Sequence, residues 1–168
     1  MTSEPARLPD DENPRPVEVA STSRLRRDPR VILVVDDTSD TRDIYSLYLS
    51  SKGFKVPTAR DGISGLEAAS VHQPDVIVMD LSMPGVDGIE ATRRLKADPR
   101  TAHIPVVLLT AYPLNAVQGG ALEAGADDFL TKPCLPDKLE RHVRRLLARR
   151  RPGRGPGDAR SSRRRGRR

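Results

Sequence analysis

Residues 31–37 read VILVVDD. The apolar run is continuous instead of alternating, as expected of a parallel strand covered by helices on both faces, and two aspartates follow it at once. DVIVMD at 75–80 and IPVVLLT at 104–110 repeat the pattern, so three central strands are predicted. FKVPTA at 54–59 is poorer, and Pro57 removes a ladder donor, which places that run at an edge. DDFLT at 127–131 is short and reads as the opposite edge. Between the runs, Ile44, Leu47 and Tyr48 lie three and four apart, as Ile63, Leu66 and Ser70 do more weakly, predicting helices over 39–52 and 61–71. The first of these should start at a Ser39 or Asp40 cap and end at Gly53, a residue suited to a left-handed position. A third helix is predicted over 88–97, stopping before Pro99. A fourth, over 114–124, is softened by Gly119 and Gly120, each costing roughly 1 kcal/mol relative to Ala in a helix interior. The last, over 135–149, lines up Leu135, Leu139, Val143, Leu146 and Leu147 and carries Lys138, Arg141, Arg144 and Arg145 elsewhere. Five strands each followed by a helix define an α/β protein with an open, doubly wound parallel sheet. Such sheets bind ligands beyond the carboxyl ends of their strands.

The chain has 168 residues and a formal charge of +6, from 29 Lys plus Arg against 23 Asp plus Glu. The sign is misleading. Residues 149–168 hold ten Arg and one Asp, a net of +9, which leaves −3 for everything before them. Residues 1–29 carry five basic and six acidic groups, so 30–148 carry 14 basic against 16 acidic. The organisation that follows is one mildly acidic domain over 30–148 between two segments too poor in large apolar residues to fold, 1–29 and the Arg-rich 149–168. A single cysteine, Cys134, excludes an intramolecular disulfide framework and fits a reducing compartment. The longest apolar run, Val31 to Val35, is far short of the roughly 20 residues needed to span a bilayer. The Pro- and acid-interrupted N-terminus is not a secretory signal, so a cytoplasmic protein is expected.

Four strand ends carry reactive polar groups. Asp36 and Asp37 follow the first strand, Asp80 ends the third, Thr110 ends the fourth and Lys132 follows the fifth. Taken singly, each has a structural role available to it, as a helix cap, a strand threonine or a solvated turn lysine. Taken together, three carboxylates at one sheet edge would repel strongly without a cation. Oxygen-only donors favour a hard divalent ion such as Mg²⁺. With that ion, Asp80 could act as a nucleophile toward phosphorus, forming an acyl phosphate, while Lys132 neutralises charge and Thr110 hydrogen-bonds a phosphate oxygen. The loop LSMPGVDG at 81–88 would make a tight turn beside Asp80 with carbonyls toward the ion.

The segments VILVVDD, DLSMPGVDG, IPVVLLTA and ALEAGADDFLTKP, in that order, resemble the response-regulator receiver domains of two-component signalling, over about residues 30–148. The resemblance is to the stand-alone, chemotaxis-type receiver. It implies a flavodoxin-like sheet of strand order 2-1-3-4-5 and assigns Asp80 as phosphoacceptor. It implies Mg²⁺ on Asp37, Asp80 and the Ser82 backbone carbonyl, with Asp36 acting mostly through water. By the same resemblance Thr110 is the switch hydroxyl, Lys132 the phosphate-binding lysine, Phe129 the aromatic switch residue, and the Lys132–Pro133 peptide is cis. Ser82 and Tyr112 fall on positions that tune the lifetime of the phosphoryl group, and bulky Tyr112 is expected to slow its loss. The implied partners are a sensor histidine kinase or histidine phosphotransfer protein, meeting the first helix near Ile44, Tyr45 and Tyr48, and an output protein on the face of the fourth helix, fifth strand and fifth helix. A substrate-turnover enzyme is not expected. Asp36 lacks the second Asp two residues on that haloacid-dehalogenase-like phosphatases require, and no G-x-G-x-x-G or Walker-type loop is present. The alternative reading is a protein that binds nucleic acid or an acidic partner through the Arg-rich tail, regulated by the domain.

Overall fold

The computed structural model describes residues 28–149. Apart from residues 28, 29 and 149, the two segments predicted to be disordered lie outside the described residues. The elements follow one another as β1 (Ile32–Val35), α1 (Ser39–Ser51), β2 (Thr58–Ala59), α2 (Gly62–His72), β3 (Val76–Asp80), α3 (Gly88–Ala97), β4 (Val106–Thr110), α4 (Leu114–Glu123), β5 (Asp128–Thr131) and α5 (Pro136–Arg149). All five strands pair in parallel in the order β2-β1-β3-β4-β5, with β2 and β5 at the edges as predicted. Pro57 sits just before β2 and supplies only an acceptor, its carbonyl taking the Val34 N–H at 3.0 Å.

Alternate residues of each central strand face opposite layers, and both layers are buried. Ile32, Val34, Val76, Val78, Val107 and Leu109 pack against α1 and α5. Leu33, Val35, Ile77, Met79, Val106 and Leu108 pack beneath α2, α3 and α4. This double coverage is the physical reason the strands read as unbroken apolar runs.

The helix faces correct the sequence reading in three places. In α1 the stripe against the sheet is Tyr45, Tyr48 and Leu49, the predicted spacing moved by one residue. Ile44 and Leu47 are instead 55% and 76% exposed. Two tyrosines can occupy that face because each hydroxyl finds an acceptor, Tyr45 on the Cys134 carbonyl at 2.9 Å and Tyr48 on Glu140 Oε2 at 3.0 Å. In α2 the buried residues are Gly62, Gly65 and Ala69; of the predicted stripe Leu66 packs against the core, whereas Ile63 is exposed. This helix lies so close to β1 that a Cβ on Gly65 would sit 2.9 Å from Val35 Cγ1. In α5 Leu139, Val143 and Leu146 are buried, whereas Leu135 precedes the helix, which begins at Pro136, and stands in solvent.

Caps account for the helix starts. The predicted Ser39 or Asp40 cap is replaced by a loop in which Asp36 Oδ1 accepts the Thr38 N–H at 2.9 Å. Asp61 and Ser64 form a reciprocal capping box on α2, and Asp87 Oδ1 accepts the Glu90 N–H at 2.8 Å at the start of α3. Gly53 ends α1 at φ +88°, as predicted. At the far edge Asp128 on β5 ties down α5, its carboxylate receiving Arg145 and lying 2.6 Å from His142 Nδ1. Burial alone would raise its pKa, but these two partners outweigh burial and hold it below its ordinary value of 3.8.

Two expected outcomes follow from this packing. A depressed carboxylate pKa contributes stability that is present in full above the unfolded value and is lost as pH falls through the folded one. Asp128→Asn should therefore lower stability in urea unfolding by about 1–2 kcal/mol at pH 7. The gap to wild type should close only below pH 3.8, the ordinary value. At Gly88 an added Cβ would fall 2.3 Å from the Asp80 carbonyl oxygen, whereas at Gly119 it would meet nothing within 4 Å. Gly88→Ala should destabilise by about 1–3 kcal/mol, and Gly119→Ala should stabilise by about 0.5–1 kcal/mol, both measured by the urea midpoint.

Candidate active site

Parallel pairing brings the carboxyl ends of neighbouring strands level. The registers Val35↔Met79, Asp80↔Leu109 and Thr110↔Thr131 place Asp36 and Asp37, Asp80, Thr110 and Lys132 along one edge. Asp36 is 1% exposed and Asp80 3%, while Asp37 is open to solvent. One carboxylate oxygen of each lies within 4.8 Å of the others. The predicted acidic trio is thus a real spatial cluster.

Lys132 reaches into it from the far side of the sheet. Its Nζ lies 2.8 Å from Asp36 Oδ2 and 2.9 Å from Asp80 Oδ1. Its own N–H is fixed by the Thr110 carbonyl at 2.7 Å, and the Lys132–Pro133 peptide is cis. Burial raises the Asp80 pKa; Lys132 and the Ser82 N–H oppose that rise, and the neighbouring Asp36 charge adds to it. For Lys132 burial acts to lower the pKa, but the two carboxylates prevail and hold it above the usual lysine range. The ammonium therefore stays charged and shared between two acids.

The surrounding backbone is shaped for this edge. Leu81 and Met83 are buried and anchor the loop that follows Asp80, with Gly85 at φ +76° making its turn. The loop closes where the Gly88 N–H meets the Leu81 carbonyl at 2.9 Å. Ser82 presents its side chain to solvent and its N–H to the Asp80 carboxylate. Thr110, fully buried, accepts the Tyr112 N–H at 2.9 Å on its hydroxyl, and the Tyr112 ring is exposed. Phe129, opposite Leu108 in the register, is half-buried against the layer of α2, α3 and α4.

Two contributors, Arg42 and Tyr45, escaped the sequence reading, whereas Gly88 lies in the tight turn it expected beside Asp80. Arg42 donates to the Asp36 carbonyl at 2.7 Å and steadies the turn after β1. Gly88 permits the close return of the loop onto Asp80. Tyr45, expected among the surface contacts of α1, is buried behind the site. The residue types alone carried no signal for Arg42 or Tyr45, since each acts through a backbone carbonyl whose position only the fold sets.

The cluster fits a divalent cation. Three carboxylates and one ammonium sum to −2, and the side-chain donors are hard oxygens of the kind Mg²⁺ selects. No helix among the described residues is long and apolar enough to cross a membrane.

Solved structures with the same fold include the chemotaxis protein CheY4 of Vibrio cholerae, 29% identical with a TM-score of 0.67, matched over 70% of this chain and 98% of that one. The receiver domain of sensor histidine kinase PA1611 from Pseudomonas aeruginosa, which holds a magnesium ion in its active-site cleft, is 32% identical with a TM-score of 0.66 over 71% and 98%. Among curated proteins, the DNA-binding dual master transcriptional regulator RpaA of a Synechocystis strain is 43% identical over 120 residues, 70% of this chain and 49% of its own length. The response regulator PleD of Caulobacter vibrioides is 44% identical over 115 residues, 68% of this chain and 25% of that protein. The chain thus spans half or less of the length of these curated relatives. Residues 32–144 match the response regulator receiver domain, and with the sheet order and acidic edge described above, the chain belongs to that family.

Proposed function

We propose that this domain is a switch or relay that takes a phosphoryl group onto Asp80 from a sensor histidine kinase or histidine phosphotransfer protein. The observation that carries the reading is the Lys132 ammonium held at 2.8 and 2.9 Å between Asp36 and Asp80, at the edge where both phosphoryl oxygens and a cation would gather. An Asp80 carboxylate oxygen attacks phosphorus, the P–N bond to the donor imidazole breaks, and an acyl phosphate forms. Bound by Asp37, Asp80 and the Ser82 carbonyl, with Asp36 acting through water, Mg²⁺ would supply charge neutralisation for the phosphoryl oxygens. Lys132 then exchanges its contact with Asp80 for the new oxygens. Thr110 gives up its turn contact with Tyr112 to donate its hydroxyl to the phosphoryl group.

That movement transmits the signal. The phosphoryl group adds roughly −1.5 to −2 charges, Thr110 moves toward it, and the half-buried Phe129 ring turns into the vacated space. α4, with two glycines in its second half, shifts with it, so the face of α4, β5 and α5 presents a new surface to an output protein. On the donor side, a groove of about 630 Å³ lined by Thr41, Ile44, Lys132, Pro133 and Leu135 opens beside the lysine. The exposed Ile44 and Leu135 supply apolar contact there. The protein is not a substrate-turnover enzyme on this reading; it promotes only its own phosphorylation and dephosphorylation.

A second reading rests on charge alone. Ten Arg against one Asp in residues 149–168 favour nucleic acid or another polyanion as a further partner. Deletion of that segment should then weaken binding to generic duplex DNA at low salt.

Incubation with Mg²⁺ and acetyl phosphate should give a single phosphoryl adduct by intact mass on wild type and none on Asp80→Asn. Wild type without an adduct would overturn the reading. Tyr112→Ala should shorten the lifetime of the adduct several-fold, because the exposed ring two residues past Thr110 shields the acyl phosphate from water; an unchanged lifetime assigns the ring no such role.

A further inference from the structure

Tyr45 is 4% exposed on the face of α1 that packs on the sheet, so its hydroxyl must be satisfied inside the protein. It donates at 2.9 Å to the carbonyl of Cys134, itself buried, in the short connection between β5 and α5. That connection begins at Lys132, two residues before Cys134. The Lys132 N–H is held on the Thr110 carbonyl at 2.7 Å. The backbone carrying the lysine is therefore fastened from two sides, by β4 ahead of it and by the α1 phenol just behind it.

The fastening matters because of what Lys132 must do. A lysine stem has four carbons and many rotamers, yet its ammonium meets two carboxylates from two different strands at once. That double contact depends on where the backbone starts the stem, and positional errors of about 1 Å in such groups cost on the order of a hundredfold in rate. The phenol is suited to the task. Burial, with Cys134, Asp36 and Asp80 adding to it against Lys132, pushes its pKa up to about 12, so the O–H remains a donor across the working range. Phenylalanine would fill the same volume and leave the Cys134 carbonyl without that bond.

We propose that Tyr45 is a positioning residue for Lys132, its hydroxyl holding the β5–α5 connection through the Cys134 carbonyl so that the ammonium spans Asp36 and Asp80. The inference rests on Asp80 as phosphoacceptor and adds a residue that touches neither phosphate nor cation.

The test is Tyr45→Phe in the full chain, with Mg²⁺ and acetyl phosphate and formation of the Asp80 adduct followed by intact mass. The maximal phosphorylation rate should fall on the order of tenfold, with the Mg²⁺ concentration at half-effect unchanged. In a Lys132→Ala background, Tyr45→Phe should have less than about a twofold effect, since a residue acting through the lysine has nothing left to position. An equal loss in both backgrounds, or a wild-type rate in Tyr45→Phe, overturns the proposal. Wild-type protein that forms no adduct overturns the phosphoacceptor reading instead. Independently of phosphotransfer, the Lys132 side-chain ammonium should be resolved by ¹⁵N NMR in wild type and broadened in Tyr45→Phe; an unperturbed signal likewise overturns the proposal.

Discussion

Like charges do not gather unaided, and the fold is arranged around one place where they do. Three carboxylate oxygens lie within 4.8 Å of one another at the carboxyl edge of the sheet, two of them on nearly buried residues. At an effective dielectric near 20 each pair repels by roughly 3–4 kcal/mol. The Lys132 ammonium offsets part of this by standing between Asp36 and Asp80, which are 96 and 52 residues from it along the chain. The negative charge that remains is what a divalent cation would neutralise, so the edge that is electrostatically uncomfortable alone is suited to a hard cation.

Each structural element can be read by its service to that edge. The parallel registers level the strand ends, and double coverage by helices makes the central strands rigid apolar slabs with reactive groups only at their tips. The β1–α1 turn is held by Asp36 itself, through Thr38 N–H, and by Arg42 on the Asp36 carbonyl. The loop after Asp80 folds back so tightly that only glycine fits at position 88 without displacement. Tyr45 and Thr110 secure the backbone of Lys132. Away from the edge, α4 makes few demands on the sheet, and an added methyl at Gly119 would meet nothing, which is consistent with a helix able to shift.

Much of this was legible in the residues themselves. Continuous apolar runs announced the central strands because burial on both faces removes the need for alternation, and Pro57 announced an edge because it cannot donate to a ladder. The helix faces were less legible. In α1 a spacing rule found the right periodicity and the wrong phase, since Ile44 and Leu47 rank as core residues by type whereas Tyr45 does so only once its hydroxyl partner, the Cys134 carbonyl, is known. In α2 the fully buried face is made of Gly62, Gly65 and Ala69, and a close approach of backbones leaves Leu66 as the one large apolar side chain of the helix packed on the core. Leu135 looked like a helix core residue but precedes the helix, because Pro136 begins it.

By itself the sequence determined the α/β class, the order of elements and the polar residues at four of the five strand tips, since these depend on local periodicity and on turn and proline chemistry. It also separated the acidic domain from the Arg-rich segment, since charge is additive along a chain. Only the tertiary structure decided that Asp36, Asp37 and Asp80 share one space, that Lys132 bridges two of them, and that Tyr45 turns inward to the Cys134 carbonyl. Those facts are distances between residues far apart in sequence, and they are set by strand register and helix phase, which no local pattern encodes.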